Sequence, residues 1–243
     1  MSLAKGLGHF YRTERGEVLN REIARCLKVN WGAKALEGHH LLCVGYPPPC
    51  LKSFLKKTSS AALFLPSFME AKKYRRGKKN SSTLGDESHM PFRPGSYEGS
   101  VIFHALEYME DPKSFMEELW RVLSPGGRLF VMVPNRMGAW KKSGVPFGYG
   151  LNPFKHKNLR MLLEANGFTP TETYGVLYGV PVGFIRKILF SGILKTLSGG
   201  TVAGFPGFLI FEAVKETGPA KIKFKEPLRV VPGVRVNPEP SPE

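Results

Sequence analysis

The chain has little of three things, and each scarcity excludes a class of protein. No apolar run approaches the ~20 residues that a membrane-spanning helix requires, so the sequence predicts a soluble protein. Cysteine is sparse, at three in 243 residues, and Cys26, Cys43 and Cys50 have no metal-ligand spacing. No metal site is expected, and an odd, sparse set fits ordinary thiols in a reducing cytoplasmic compartment. The N-terminus also lacks the sustained apolar stretch and small-residue cleavage site of an export signal. Acids are the third shortage, 20 against 35 lysines and arginines, which leaves a formal net charge of +15. Such an excess favours a polyanionic partner or an anionic membrane surface. The densest run, "AKKYRRGKK", puts six basic residues in nine, from Lys72 through Lys79. It reads either as a solvated loop or as a patch that holds RNA or another polyanion through its phosphates.

What is present is an alternation of strand and helix patterns, on a length that suits one main domain. Val18, Leu19, Ile23, Ala24 and Leu27 recur at helical spacing within residues 13–29, which predicts a helix ahead of the first strand. Apolar runs at residues 41–44 and 61–65 read as buried strands, and the stretch around 52–57 between them reads as poor in helix. Residues 101–103 form a further short strand. Asp111-Pro112 reads as a helix start, since aspartate caps free N–H groups and proline suits the first helical position. Phe115, Met116, Leu119, Val122 and Leu123 then line one face of a helix over residues 112–123. "SPGG" ends it, and "RLFVMV", residues 128–133, follows as a strand closed by Pro134. Another helix at residues 158–166 stops at Gly167, and "TYGVLYGV" and "FLIFEAVKE" are strand-like. Between those two, residues 182–197 form a basic amphipathic segment, read as a packed helix with peripheral membrane contact as the alternative. Six prolines among the 27 residues from Thr217 onward predict an extended tail. Strand and helix in alternation predict an α/β fold, a doubly wound and mainly parallel sheet with helices on both faces.

"YEGSVIFHALEYMEDPKSFMEELWRVLSPGGRLFVMVPN", residues 97–135, resembles the second half of class I S-adenosylmethionine-dependent methyltransferases of the type 11 group. In those enzymes a strand ends in a His-x-Leu-Glu-like segment, and a helix ending in Arg-Val-Leu-x-Pro-Gly-Gly leads into the next strand. "LGDESHMPF" is similar to their Gly-Asp-Ala-Glu-x-Leu-Pro-Phe segment, and "LRMLLEANGF" resembles the helix and turn before their sixth strand. The resemblance runs over residues 36–215. The Gly-Tyr-x-x-Pro loop after the first strand and the "PFGYG" stretch after the fifth look most like alphaproteobacterial methyltransferase-like proteins with a degenerate first glycine loop. The resemblance implies a Rossmann-like three-layer αβα fold, S-adenosylmethionine as cofactor, and direct in-line methyl transfer to an acceptor. It also implies a division into an N-terminal helical segment (1–35), a methyltransferase-like domain (36–216) with a helical insertion (181–200), and a proline-rich tail (217–243).

In the resembling family the first strand ends in an acid and a Gly-x-Gly-x-Gly loop, whose amides face the cofactor's carboxylate. This chain offers "LLCVGYPPPCL", in which only Gly45 matches and three prolines lack an N–H. Two charge-assisted hydrogen bonds, each on the order of 1.5–3 kcal/mol, are lost unless the rigid loop is preorganised with Tyr46 packing on the ligand. After the second strand no acid stands at the strand end, and Glu70 competes for the ribose hydroxyls. Asp86 matches the residue that accepts from the adenine amino group. The cofactor-binding set implied is Val44, Gly45, Tyr46, Glu70, Asp86, Glu87 and His104. His104 and Glu107 follow the fourth strand at the carboxyl edge of the sheet, where ligands of doubly wound folds bind. His104 is the candidate catalytic group, against the reading that it caps the strand end. Tyr149 and His156 lie after the fifth strand, where an acceptor pocket would be lined, and neither is assigned a role. Gly45→Val is expected to abolish binding with the fold largely intact. The alternative from another class is a catalytically inactive relative that binds RNA or a ribonucleoprotein through its basic surface.

Overall fold

The computed structural model describes residues 3–30, 38–56, 58–69, 75–76, 79–137, 154–176 and 206–217. Helices α1 (Leu3–Phe10) and α2 (Glu14–Asn30) come first, followed by β1 (His40–Gly45), α3 (Leu51–Leu55) and β2 (Ser60–Pro66). A two-residue hairpin, β3 (Arg75–Arg76) with β4 (Lys79–Asn80), lies within the basic run. Then come β5 (Ser82–Gly85), β6 (Tyr97–Phe103), a 3-10 turn (Leu106–Tyr108), α4 (Pro112–Val122), β7 (Leu123–Pro134), α5 (His156–Ala165), β8 (Phe168–Val176) and β9 (Phe208–Lys215). Seven strands form one sheet in the order β5-β2-β1-β6-β7-β9-β8. Neighbouring strands from β5 to β7 pair in parallel, while β9 runs antiparallel to β7 on one side and β8 on the other. This is the doubly wound α/β sheet expected from the alternation of elements.

The central strands read as nearly continuous apolar runs because both faces of a parallel sheet are covered. Leu41, Leu42, Cys43 and Val44 of β1 pair with Ala61 to Phe64 of β2 and Gly99 to Ile102 of β6, and all four are buried. Helix α4 forms as the sequence predicts: the Asp111 carboxylate accepts from the Lys113 and Ser114 amides, and Pro112 occupies the first turn. Its buried face consists of Phe115, Met116, Leu119 and Val122.

Two local expectations change. The stretch around 52–57 contains a turn of helix, because Leu51 and Leu55 fall four residues apart and both are buried. The strand expected at residue 128 begins at Leu123, which pairs with Tyr97 before the register shifts to Gly99 and Arg128. The helical insertion at 181–200, the segment 182–197 and the tail from residue 218 onward lie outside the described residues. So do Glu70 and Tyr149, and of the basic run only the hairpin backbone is described. Among the described residues no helix is long and apolar enough to cross a membrane.

One ion pair ties α4 to the segment after β5. The Arg121 guanidinium donates from Nε to Glu118 Oε1 (2.5 Å) and from Nη2 to Glu118 Oε2 (2.8 Å). It also donates to the carbonyls of Phe92 (2.9 Å) and Met90 (3.0 Å). Glu118 Oε2 in turn accepts from the Met90 amide at 2.8 Å. The irregular segment between β5 and β6 is thereby held against the helix at Met90 and Phe92, just beyond the Asp86 turn.

Candidate functional site

The chain leaves β1 toward β2 on one side and returns from β5 to β6 on the other, so the sheet's switch point opens between the carboxyl ends of β1 and β6. His104, the residue after β6, is there with φ 52, the one non-glycine residue with positive φ among those described. Such a backbone costs on the order of 1–3 kcal/mol and persists where the surroundings enforce it. Its Nε2 lies 2.7 Å from the Tyr11 hydroxyl, and its Nδ1 lies 3.6 Å from Glu107 Oε1. The Tyr11 ring stacks on Tyr46 at 6.1 Å and 7°, and meets His104 edge-on at 5.7 Å. Phe208 of β9 closes the far side of the imidazole at 6.2 Å. His104, Glu107, Tyr11 and Tyr46 are all buried. Burial pushes the Tyr11 phenol well above its usual pKa, so it stays an O–H donor. The Glu107 carboxyl is wholly buried, and neither of its oxygens makes a hydrogen bond.

Tyr11 reaches this cluster because the turn between α1 and α2 is very tight. Thr13 Oγ1 donates to the Phe10 carbonyl (2.7 Å) and accepts from the Gly16 amide (3.2 Å), capping α2. A Cβ at Gly16 would lie 2.1 Å from the Phe10 carbonyl oxygen, so only glycine allows the helices to meet this way. The sequence reading missed both α1 and Tyr11. The available signal was "FYRTERG", a threonine cap three residues before a glycine.

Sequence-predicted Gly45 and Tyr46 join this cluster, whereas Val44 is buried in β1 between Phe64 and Ile102. Gly45 has φ 86, and a Cβ there would stand 2.2 Å from the Phe103 carbonyl oxygen. The expectation that Gly45→Val leaves the fold intact is therefore corrected, because β1 and β6 approach too closely at that point for any side chain. From Tyr46 to Ser53 every residue is a proline or donates its amide within the protein. Tyr46 donates to Phe103 (2.8 Å), Cys50 to Asn20 Oδ1 (2.8 Å) and Leu51 to Pro48 (3.0 Å).

Asp86 and Glu87 occupy the other end of the carboxyl edge. Asp86 is exposed; its Oδ1 accepts from the Ser88 hydroxyl (2.6 Å) and amide (2.8 Å), and its Oδ2 faces His89 Nδ1 at 3.2 Å. These bonds, the Ser88 hydroxyl foremost, hold its pKa down to about 2, so it is a carboxylate throughout the neutral range. Glu87 Oε2 accepts from Ser67 Oγ (3.2 Å) and links the turn after β2 to the turn after β5. Phe68, exposed on the β2 turn, faces Tyr108 with ring centres 6.3 Å apart. His156 opens α5 and packs on Phe211 of β9 at 5.0 Å.

Residues 55–131 match the family described as "Methyltransferase domain", a span that runs from the end of α3 into β7 and contains Asp86, Glu87, His104, Glu107 and Arg121. That span, about a third of the chain, resembles methyltransferase domains. A curated protein of Mycolicibacterium smegmatis, named a probable S-adenosylmethionine-dependent methyltransferase, is 34% identical over 100 residues, 39% of this chain and 37% of that one. The demethylmenaquinone methyltransferase of Streptomyces avermitilis is 28% identical over 118 residues, 47% of this chain and 48% of its own. The chain thus matches less than half the length of these curated relatives. Among solved structures, the [4+2]-cyclase SpnF shares the fold at a TM-score of 0.52 and 15% identity, over 85% of this chain and 84% of that one.

Proposed function

We propose that this protein is an S-adenosylmethionine-dependent methyltransferase that passes a methyl group in line to a nucleophilic acceptor. The observation that carries the reading is the family match over residues 55–131, whose polar residues line the carboxyl edge of the sheet at its switch point. Its own residues suit the cofactor. Asp86, ionised and exposed beyond β5, is an acceptor for the amino and hydroxyl donors of a nucleoside, with Glu87 beside it. The buried Glu107 carboxylate, with no hydrogen-bond donor on either oxygen, suits the cationic end. The cofactor supplies a methyl group already activated on sulfonium. The protein's part is to position donor and acceptor and to exclude water, for which no dedicated base is obligatory. In this reading His104, which lies between Tyr11 and Glu107, receives a proton where the acceptor carries one. Thiols without a disulfide partner suit a cytoplasmic location.

Titration calorimetry with S-adenosylhomocysteine is the test. Saturable binding is expected, and Asp86→Ala should weaken it about fivefold by removing one hydrogen-bond acceptor. A folded protein that gives no heat at millimolar ligand would sink the reading.

A further inference from the structure

The loop after β1 has no amide to offer an anion. Tyr46, Cys50, Leu51, Lys52 and Ser53 donate theirs internally, and residues 47–49 are prolines. Helix α3, at five residues, is too short to present a helix N-terminus in their place. The same loop instead carries Tyr46 into a buried group of polar side chains drawn from three parts of the chain: Tyr11 at the α1–α2 turn, His104 after β6, and Glu107 on the 3-10 turn. A phenol both accepts and donates, so Tyr11 can accept from His104 Nε2–H and donate its own hydrogen to an anion. The Glu107 carboxylate is out of water with no hydrogen bond to either oxygen, and the His104 nitrogen facing it stands 3.6 Å away. A buried carboxylate in that condition is costly until a cation with N–H donors arrives.

This group and the Asp86 turn occupy the two ends of one edge. From β5 across β2 and β1 to β6 is three strand spacings, roughly 14 Å, the reach of a nucleoside with an amino-acid tail. With the nucleoside at Asp86, the zwitterionic tail arrives where a phenol donor and a carboxylate acceptor both stand against the His104 ring. We propose that Tyr11 and Glu107 grip the amino-acid end of the cofactor, the Tyr11 hydroxyl donating to its carboxylate and Glu107 accepting from its ammonium, in place of the loop amides. The proposal rests on the reading that the protein binds S-adenosylmethionine.

The experiment compares two ligands that share the nucleoside and differ in the tail. Calorimetric titrations with S-adenosylhomocysteine and with 5′-methylthioadenosine, which lacks the amino acid, are run on wild type, Tyr11→Phe and Glu107→Gln. Each variant is expected to bind S-adenosylhomocysteine about tenfold more weakly, the loss of one charge-assisted hydrogen bond, with methylthioadenosine unchanged. Glu107→Gln should melt no lower than wild type, because neither carboxylate oxygen holds a hydrogen bond to lose; a fall in melting temperature would mark Glu107 as a structural partner of His104 and overturn its assignment. Equal weakening of both ligands, or of neither, overturns the proposal. So does a wild type that binds methylthioadenosine as tightly as S-adenosylhomocysteine, although cofactor binding then stands. A wild type that binds neither ligand removes the cofactor reading and the proposal with it.

Discussion

Arg121→Met tests whether one guanidinium holds the nucleoside end of the site together. The substitution keeps an aliphatic stem and removes four hydrogen bonds, two to Glu118 and one each to the carbonyls of Phe92 and Met90. Bonds to a charged group are worth about 1.5–3 kcal/mol each when buried, but the Arg121 side chain is 35% exposed and water replaces part of the loss. A net cost of about 3 kcal/mol for the set is expected, which lowers the melting temperature by about 6–12 °C in a domain of this size. Thermal unfolding followed by circular dichroism at neutral pH measures it. Combining the change with Glu118→Gln should cost less than the sum of the single substitutions, since both break the same bonds. The pH dependence has a definite sign. Arg121 holds the Glu118 carboxyl below its ordinary value of 4.5, so this stabilisation is complete above that value and is lost as pH falls through the lowered one. A melting temperature within about 2 °C of wild type, or strict additivity in the cycle, would refute the reasoning.

Gly45→Ala is expected to lose more than about 3 kcal/mol or to prevent folding, because φ is positive and the added Cβ meets a backbone oxygen; a wild-type urea midpoint would contradict this. Burial raises the pKa of Cys26, Cys43 and Cys50 to about 12 each, so iodoacetamide at pH 8 should leave the native protein unmodified and add three groups after unfolding. Rapid alkylation of any of them in the native state would show that the surrounding packing opens readily.

Where local chemistry decides an element, the sequence was a good guide. The Asp111-Pro112 cap, the apolar face of α4 and the buried runs of β1 and β2 all depend on neighbours in the chain, and all stand where their residues predict. The Tyr11–His104 bond joins residues 93 apart, and no spacing rule connects a helix-turn tyrosine with a residue beyond the fourth strand of the sheet pattern. The roles of Glu118 and Arg121 had no sequence signal, because their partners beyond each other are main-chain groups of Met90 and Phe92, which no sequence pattern displays. Helix α1 was invisible for a different reason. It is eight residues long with two glycines, and its residues Leu7 and Phe10 are buried by tertiary packing rather than held by helix propensity.

The position of β9 bears on how the chain is made. Among the described residues it is the last strand in sequence yet lies inside the sheet, and β8, at the sheet's margin, pairs with β9. As the polypeptide emerges from the ribosome, β7 therefore has one edge and β8 both edges unpaired among the described strands until Phe208–Lys215 follows. That nascent state displays apolar backbone edges able to recruit foreign strands, the condition in which chaperones hold a chain. Insertion of β9 pairs the open edge of β7 and one edge of β8 at once. The Lys215 ammonium then closes the end of the strand, donating to the Leu123 carbonyl at 2.6 Å and lying 3.9 Å over the Trp120 ring. Translation that stops short of residue 208 would leave the five paired strands from β5 to β7 with an unpaired edge at β7, and β8 without a partner among the described strands.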